Sequence, residues 1–269
     1  MDTNSGGTRL RLKEKVAIIT GGGKGIGRAI SFDFAAEGAI VVMAARDLSS
    51  MEHAAAEMAS RGSKVDAIVT DVRDEDQVKR MVAYTLDKYG RIDILVNNSA
   101  AGGPTVDAVE LKLDDWNDVM ATNLTGSMLC AREVLKPMIA ARKGNIINIS
   151  SEGGRSGFPM RIPYAVSKRG VIALTETLAI EAGGYGIRVN CISPGRVRGE
   201  HVENVAKVKA NALGLTYDEV YNNMTIDCSL RRFVEASEVA AAAVFLASDE
   251  SSAITGETLV VSCGKHMMH

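Results

Sequence analysis

Short, continuously apolar runs alternate with longer helical patterns along almost the whole chain, and no other feature restricts its fold so strongly. The runs are VAIIT (16–20), AIVVMA (39–44), VDAIVT (65–70), IDILVN (92–97), NIINIS (145–150), IRVNCIS (187–193) and TLVVS (258–262). Between them lie helix-like segments at 26–37, 50–61, 75–90, 115–142, 163–182 and 237–247. A strand that is apolar at every position, not at every second one, is buried on both faces. Regular alternation of such strands with helices predicts an α/β chain, with one doubly wound parallel sheet of about seven strands, helices on both faces, and a single domain over 1–269. The irregular stretch is 196–230, where EHVENVAKVKANALG and YDEVYNN look helical but have a poor core stripe. An insert at the carboxyl end of a strand sits where open α/β sheets bind ligands, so this one is read as a substrate loop.

Composition narrows the function classes. With 46% hydrophobic residues in 269, the chain has ample material for a large core. A net charge of −2 gives no general pull toward nucleic acid or an anionic membrane, so neither is expected as a partner. The polar start, MDTNSGGTRLRLKEK, lacks the apolar centre of a signal peptide, and AAAAVFLA (240–247) falls far short of a membrane span. The four cysteines form no CxxC and read as reduced thiols of a cytoplasmic protein. The four histidines show no ligand spacing, so no metal is expected. For the tail GKHMMH (264–269) two readings stand, an arm to a neighbouring subunit or a disordered end.

The first strand runs into TGGGKGIG (20–27) and then a helix. Gly21, Gly25 and Gly27 have GxxxGxG spacing, not the literal GxGxxG fingerprint, but the mechanics agree. Glycines let backbone amides approach a pyrophosphate, and a helix N-terminus adds partial positive charge. Gly23, Lys24 and Ile26 complete this candidate cofactor loop. In NAD-binding units an acid ends the second strand and holds the ribose hydroxyls. Here the first polar side chain is Arg46, with Asp47 next as a helix N-cap, and Lys24 adds a cation in the loop. Two cations near the ribose suit a 2′-phosphate, so NADP(H) is expected in preference to NAD(H). Asp71, after the third strand, either contacts the adenine or caps the helix at 75–90.

PYAVSKRG places Tyr164 and Lys168 four apart, on one face of a helix. A free tyrosine titrates near ~10, and a neighbouring ammonium favours the phenolate, bringing it toward working range as an acid/base. Ser151, just past the strand NIINIS, is placed to hydrogen-bond the same substrate oxygen. Asn123, in MATNLTG, either supports a bound water or is a structural helix residue. Asn97 and Asn98 read as bridges between backbone groups.

With these pieces together the chain resembles the short-chain dehydrogenase/reductases. The matching residues are TGGGKGIG, Asp71, NNSA (97–100), Asn123, ISS (149–151), Tyr164-x-x-x-Lys168 and Pro194-Gly195, in the family's order and over about residues 12–263. The resemblance implies a Rossmann-like domain, usually a homotetramer or homodimer. It implies Tyr164 as general acid/base, Lys168 as the group that lowers its pKa and binds the nicotinamide ribose, and Ser151 as the stabiliser of the substrate oxygen. It also implies Asn123 as holder of a relay water, and Val72, Asn98, Pro194, Gly195 and Val197 as further cofactor contacts.

Two departures stand out. The family's common NNAG reads NNSA, so Ala100 is expected to shift the backbone beside the cofactor. The threonine that commonly follows Pro-Gly four residues beyond the glycine is Gly199 here. Around the expected pocket lie Phe158, Met160 and Ile162, and four arginines, Arg155, Arg161, Arg196 and Arg198, which suit an anionic group or else face solvent in ion pairs. The sequence therefore reads as an NADP(H)-dependent oxidoreductase interconverting a ketone and a secondary alcohol, with a 3-oxoacyl thioester among the candidate substrates. The alternatives are a catabolic dehydrogenase of a small anionic hydroxy compound and a catalytically silent dinucleotide-binding regulator.

Overall fold

The computed structural model describes residues 10–265; the start of the chain and the last four residues of the tail lie outside them. Seven strands form one sheet: β1 (Val16–Thr20), β2 (Ile40–Ala45), β3 (Val65–Val69), β4 (Ile94–Asn97), β5 (Gly144–Ile149), β6 (Ile187–Pro194) and β7 (Thr258–Val261). Their order is β3-β2-β1-β4-β5-β6-β7, and every pairing is parallel. The helices are α1 (Gly25–Ala36), α2 (Leu48–Ser60), α3 (Glu75–Tyr89), α4 (Leu113–Met120), α5 (Gly126–Ala141), α6 (Ile162–Gly183), α7 (Glu200–Leu213), α8 (Tyr217–Asn223) and α9 (Ala236–Ala247).

Alternate strand residues feed two cores. Ala17, Ile19, Val41, Met43, Ile94 and Val96 pack with Phe34 of α1, Met51 of α2 and Val244 of α9. Their neighbours Ile18, Val42 and Leu95 pack on the other face with Met81 of α3 and Val134 and Met138 of α5. The expected two-sided burial holds for the centre: β1 and β4 are buried throughout. It does not hold at the edges, where β3 and β7 are largely half-exposed, because an edge strand has one neighbour and thinner helix cover.

The segment expected as one helix over 115–142 is divided. A five-residue π turn, Ala121–Thr125, separates α4 from α5. In the insert, α7 and α8 form a small cluster of their own through Ala206, Ala210 and Val220, which explains their weak match to a main-core stripe. Asp71 does not cap α3; Asp74 does, accepting from the Asp76 and Gln77 amides, while Asp71 pairs with Arg73.

At the amino end of the sheet, Asp93 fastens three strands. Its carboxylate accepts from the buried Val16 amide at 2.9 Å, its own amide donates to the Val16 carbonyl, and its carbonyl accepts from Asn145. Asp93→Ala leaves that amide without an acceptor and is expected to cost about 2–3 kcal/mol in urea unfolding at neutral pH.

Candidate active site

The carboxyl ends of β1 and β4 meet where the strand order reverses, because the chain returns from β3 to pair β4 on the other side of β1. Thr20, the last residue of β1, accepts the Asn98 and Ser99 amides on its hydroxyl, each at 3.0 Å. Asn98 donates back to the Thr20 and Gly21 carbonyls, as its backbone-bridging reading expected. Asn97 likewise bridges the Ser127 carbonyl and Asn148. These bonds hold the glycine loop against the end of β4. A β-carbon at Gly27 would lie 2.2 Å from the Gly21 carbonyl oxygen, so the first turn of α1 packs directly on the loop only because position 27 is glycine.

A cleft of about 260 Å³ opens there, lined by Gly21, Gly23, Lys24, Arg46, Asp71 and Val72, and also by Ala100 and Thr122. Among the described residues no side chain caps α1, so its first amides keep their donors for an anion. Ile26 packs its side chain against the core beneath. The donor set fits a dinucleotide pyrophosphate. Lys24 is not a free cation: its ammonium pairs with Asp47 at 2.5 Å, and Asp47 also caps α2. Arg46 is exposed and makes no ion pair among the described residues. Ala100 sits at the cleft with φ outside the positive region, so alanine is accommodated there without backbone strain. A larger cleft of about 370 Å³ lies at the amino ends of the strands, beside Lys15, Asp93 and Gly144, away from the reactive side chains.

The catalytic candidates gather at the end of β5 and the start of α6. Lys168 is buried, and its ammonium donates to the Ile149 carbonyl at 2.8 Å. Ser150 donates to the Lys168 carbonyl at 2.7 Å, tying strand to helix. Ser151 caps a short 3-10 turn, Glu152–Gly154, accepting from the Gly153 amide. Asn123, fully buried in the π turn, accepts from the Ala101 amide at 2.7 Å and donates to the Ala101 carbonyl and to Ser167 of α6. Such turns recur at functional sites. The Asn123 side chain is thus a brace between the loop after β4 and α6.

Burial acts on both Tyr164 and Lys168. Burial pushes the Tyr164 phenol up; Ser151 and Arg161 pull it down, and Glu152 pushes it up. The Lys168 ammonium stands 6.0 Å from the ring centre. Burial pushes Lys168 down to about 8.

The four arginines do not converge. Arg155 is exposed. Arg196 pairs with Asp227 at 2.6 Å and donates to the Met224 carbonyl, and Arg198 pairs with Glu235 at 2.7 Å. Arg161 alone is buried beside Tyr164, where Phe158 also packs edge-on at 6.3 Å. The segment holding Val197 is fixed by a bridge to Val234, using the Arg196 carbonyl and the Arg198 amide and leaving the Val197 main chain pointing the other way. Gly199 has φ +146°, a conformation that would strain a threonine, which accounts for the departure there. Sequence reasoning missed Asp227 and Lys265, and it offered Glu152 as a partner for the loop arginines, whereas Lys265 takes it. Lys265 lies 2.9 Å from Asp227 and 3.5 Å from Glu152, joining three segments whose separations follow no motif.

The family model described as enoyl-(acyl carrier protein) reductase matches residues 21–266. The chain is 39% identical over 251 residues to granaticin polyketide synthase putative ketoacyl reductase 1 of Streptomyces violaceoruber, covering 93% of this chain and 92% of that one. It is 39% identical over 257 residues to the 3-oxoacyl-acyl-carrier-protein reductase FabG of Thermotoga maritima, covering 95% and 99%. A variant actinorhodin polyketide ketoreductase solved with NADPH superposes with a TM-score of 0.90 at 32% identity, over 94% of this chain and 97% of that one.

A lysine whose pKa falls on folding opposes folding while protonated, so the unfolded chain holds the extra proton between about 8 and 10.5 and stability rises with pH through that window. Lys168→Met is therefore expected to be more stable than the wild type at pH 7, on the order of 2 kcal/mol, with the gap closing toward pH 10 in parallel denaturation curves.

Proposed function

The chain belongs to the short-chain dehydrogenase/reductase family, and from that premise we propose that it reduces a 3-oxoacyl thioester, or a ketone of similar shape, with NADPH. It is an oxidoreductase of carbonyl and hydroxyl groups. The observation that carries the reading is the meeting of Tyr164, Ser151 and Lys168 where β5 ends and α6 begins, beside a cleft built for a dinucleotide. The matched family model is named for enoyl reduction, whereas the curated relatives are named as ketoacyl reductases; a tyrosine acid at the site suits the carbonyl chemistry.

In this reading the bound cofactor supplies hydride to the carbonyl carbon or takes it from the alcohol. Tyr164 gives its phenolic proton to the substrate oxygen, and Ser151 donates a hydrogen bond to that oxygen as charge develops. Lys168 uses one N–H on the Ile149 carbonyl and keeps two for the ribose hydroxyls. Asn123 holds Ala101 and α6 in register, and its main chain is the support for a relay water. The Val197 main chain offers a donor and an acceptor to the carboxamide, beside Pro194 and Gly195. Asp71 and Val72 border the adenine end of the cleft.

NADP(H) is favoured because the acid at the end of β2, Asp47, is held by Lys24 and by the Ser50 amide, while Arg46 makes no ion pair among the described residues. A dimer or tetramer is supported by exposed apolar residues on α6, Val166 and Ile180, the latter 84% exposed. A cytoplasmic setting suits the four unpaired cysteines.

Tyr164→Phe is expected to lower kcat by about 10²–10⁴-fold with NADPH affinity unchanged by fluorescence titration. Retained turnover would remove the assigned role. Arg46→Asp is expected to weaken NADPH binding by about tenfold or more and to leave or improve NADH binding; equal losses for both cofactors would count against the phosphate reading.

A further inference from the structure

The end of the described chain is fastened to the end of the insert. The Leu230 amide donates to the Cys263 carbonyl at 3.1 Å, Ser229 donates to the Gly264 carbonyl at 3.3 Å, and the Lys265 ammonium donates to Asp227 at 2.9 Å. Lys265 also stands 3.5 Å from Glu152, the residue directly after Ser151. Glu152 and Lys265 are both largely buried, with 15% and 18% of their side chains exposed. Among the described residues Glu152 has little other support. Its Oε2 is buried without a hydrogen-bond donor, and a β-carbon at Gly195 would lie 3.3 Å from it. Burial pushes the Glu152 carboxyl up, Lys265 and Arg196 pull it down, and Asp227 pushes it up. A carboxylate buried with so few donors depends on the ammonium beside it. The other bonds of the insert run to its own root. Its helices α7 and α8 pack on each other, Tyr221 of α8 packs on Phe233 with ring centres 4.6 Å apart, and Arg198 bonds Tyr221 and Glu235. Lys265 reaches across from the insert to the turn that carries Ser151.

We propose that Lys265 is a positioning residue: by clasping Asp227 and Glu152 together it holds the insert closed on the turn that carries Ser151, and so sets the affinity for substrate. This rests on the ketone-reductase reading above and on the insert as the wall of the substrate site. The clasp acts at a distance from the reacting groups. Tyr164 and Lys168 are carried by α6, and Lys168 is fixed by the Ile149 carbonyl at the end of β5. Ser151 is set by its own turn, where it accepts from the Gly153 amide. Opening the clasp therefore loosens the wall and leaves the reacting set in place, so its loss falls on KM for the substrate. An ion pair shielded from water, with each carboxylate on a different segment, is suited to this part, because a single ammonium joins two pieces of chain that share no backbone bond.

The test joins NADPH-dependent reduction of S-acetoacetyl-N-acetylcysteamine, a neutral 3-oxoacyl thioester, to hydrogen–deuterium exchange of α7 and α8. Lys265→Met is expected to raise KM for the thioester by about tenfold, with kcat and the KM for NADPH within about twofold of wild type, and to speed exchange in both helices. Lys265→Arg, which keeps the charge, is expected to bring KM back to within about twofold of wild type. Lys265→Met combined with Glu152→Gln leaves no buried charge without its partner, so it is expected to regain the thermal stability lost in Lys265→Met while KM stays raised. Recovery of KM together with stability would make Lys265 only a neutraliser of buried charge and overturn the proposal. So would a fall in kcat at unchanged KM, unchanged exchange, or an arginine variant that behaves as the methionine one does. If Lys265→Met does not fold, the double variant carries the same KM and exchange readings. A wild type that does not turn over the thioester sinks the ketone-reductase reading instead, and the exchange comparison still decides the clasp.

Discussion

The reversal of strand order between β1 and β4 is the constraint on which the rest of this structure depends. A parallel sheet built outward from β1 to β3 must send the chain back across to start β4. The helices that follow the two strands then diverge, and a crevice is left at their carboxyl ends. The candidate functional groups are all placed relative to that crevice. Thr20 and Asn98 stitch its two lips together, and α1 aims its uncapped amides into it. The π turn and α6 bring Asn123, Tyr164 and Lys168 to its continuation beside β5.

The second organising effect is the burial of positive charge. Among the described residues, Lys168 and Arg161 both lose water without gaining a carboxylate, and each is held by a main-chain carbonyl. A carbonyl orients a cation but does not neutralise it, so the local field remains available to a ligand or to a neighbouring phenol. Arg196 and Lys265 show the opposite arrangement: their charges are taken up by Asp227 and Glu152, and they serve to tie the insert and the end of the described chain to the turn after Ser151. The same residue type thus has different consequences depending on whether a carboxylate reaches it.

Much of this was legible in the sequence because it is encoded locally. Continuous apolar runs place all seven strands within two residues of their ends, and YxxxK places Tyr164 and Lys168 on one helix face whatever surrounds them. Gly27 is legible for the same reason, as its contact with Gly21 lies within one loop. The less legible features were those set by distant partners. The break in 115–142 is a π turn that no propensity marks. The cap of α3 fell to Asp74, three residues past Asp71, because Asp71 is engaged by Arg73. The apparent cluster of four arginines dissolved because Asp227 and Glu235, from the end of the insert and just beyond it, arrive to pair with two of them.

The amino-acid sequence by itself determined the sheet, the glycine loop and the placement of Tyr164 and Lys168 on one helix face, since periodicity and short spacings act through contacts a few residues apart. Only the tertiary structure decided which charges act on those groups. Arg161 comes to face Tyr164 rather than water because Gly102, 59 positions earlier in the chain, receives its guanidinium. Lys168 turns to the end of β5 for the same kind of reason. Electrostatic roles depend on burial and on partners far apart in sequence, and both come into existence only when the chain has closed.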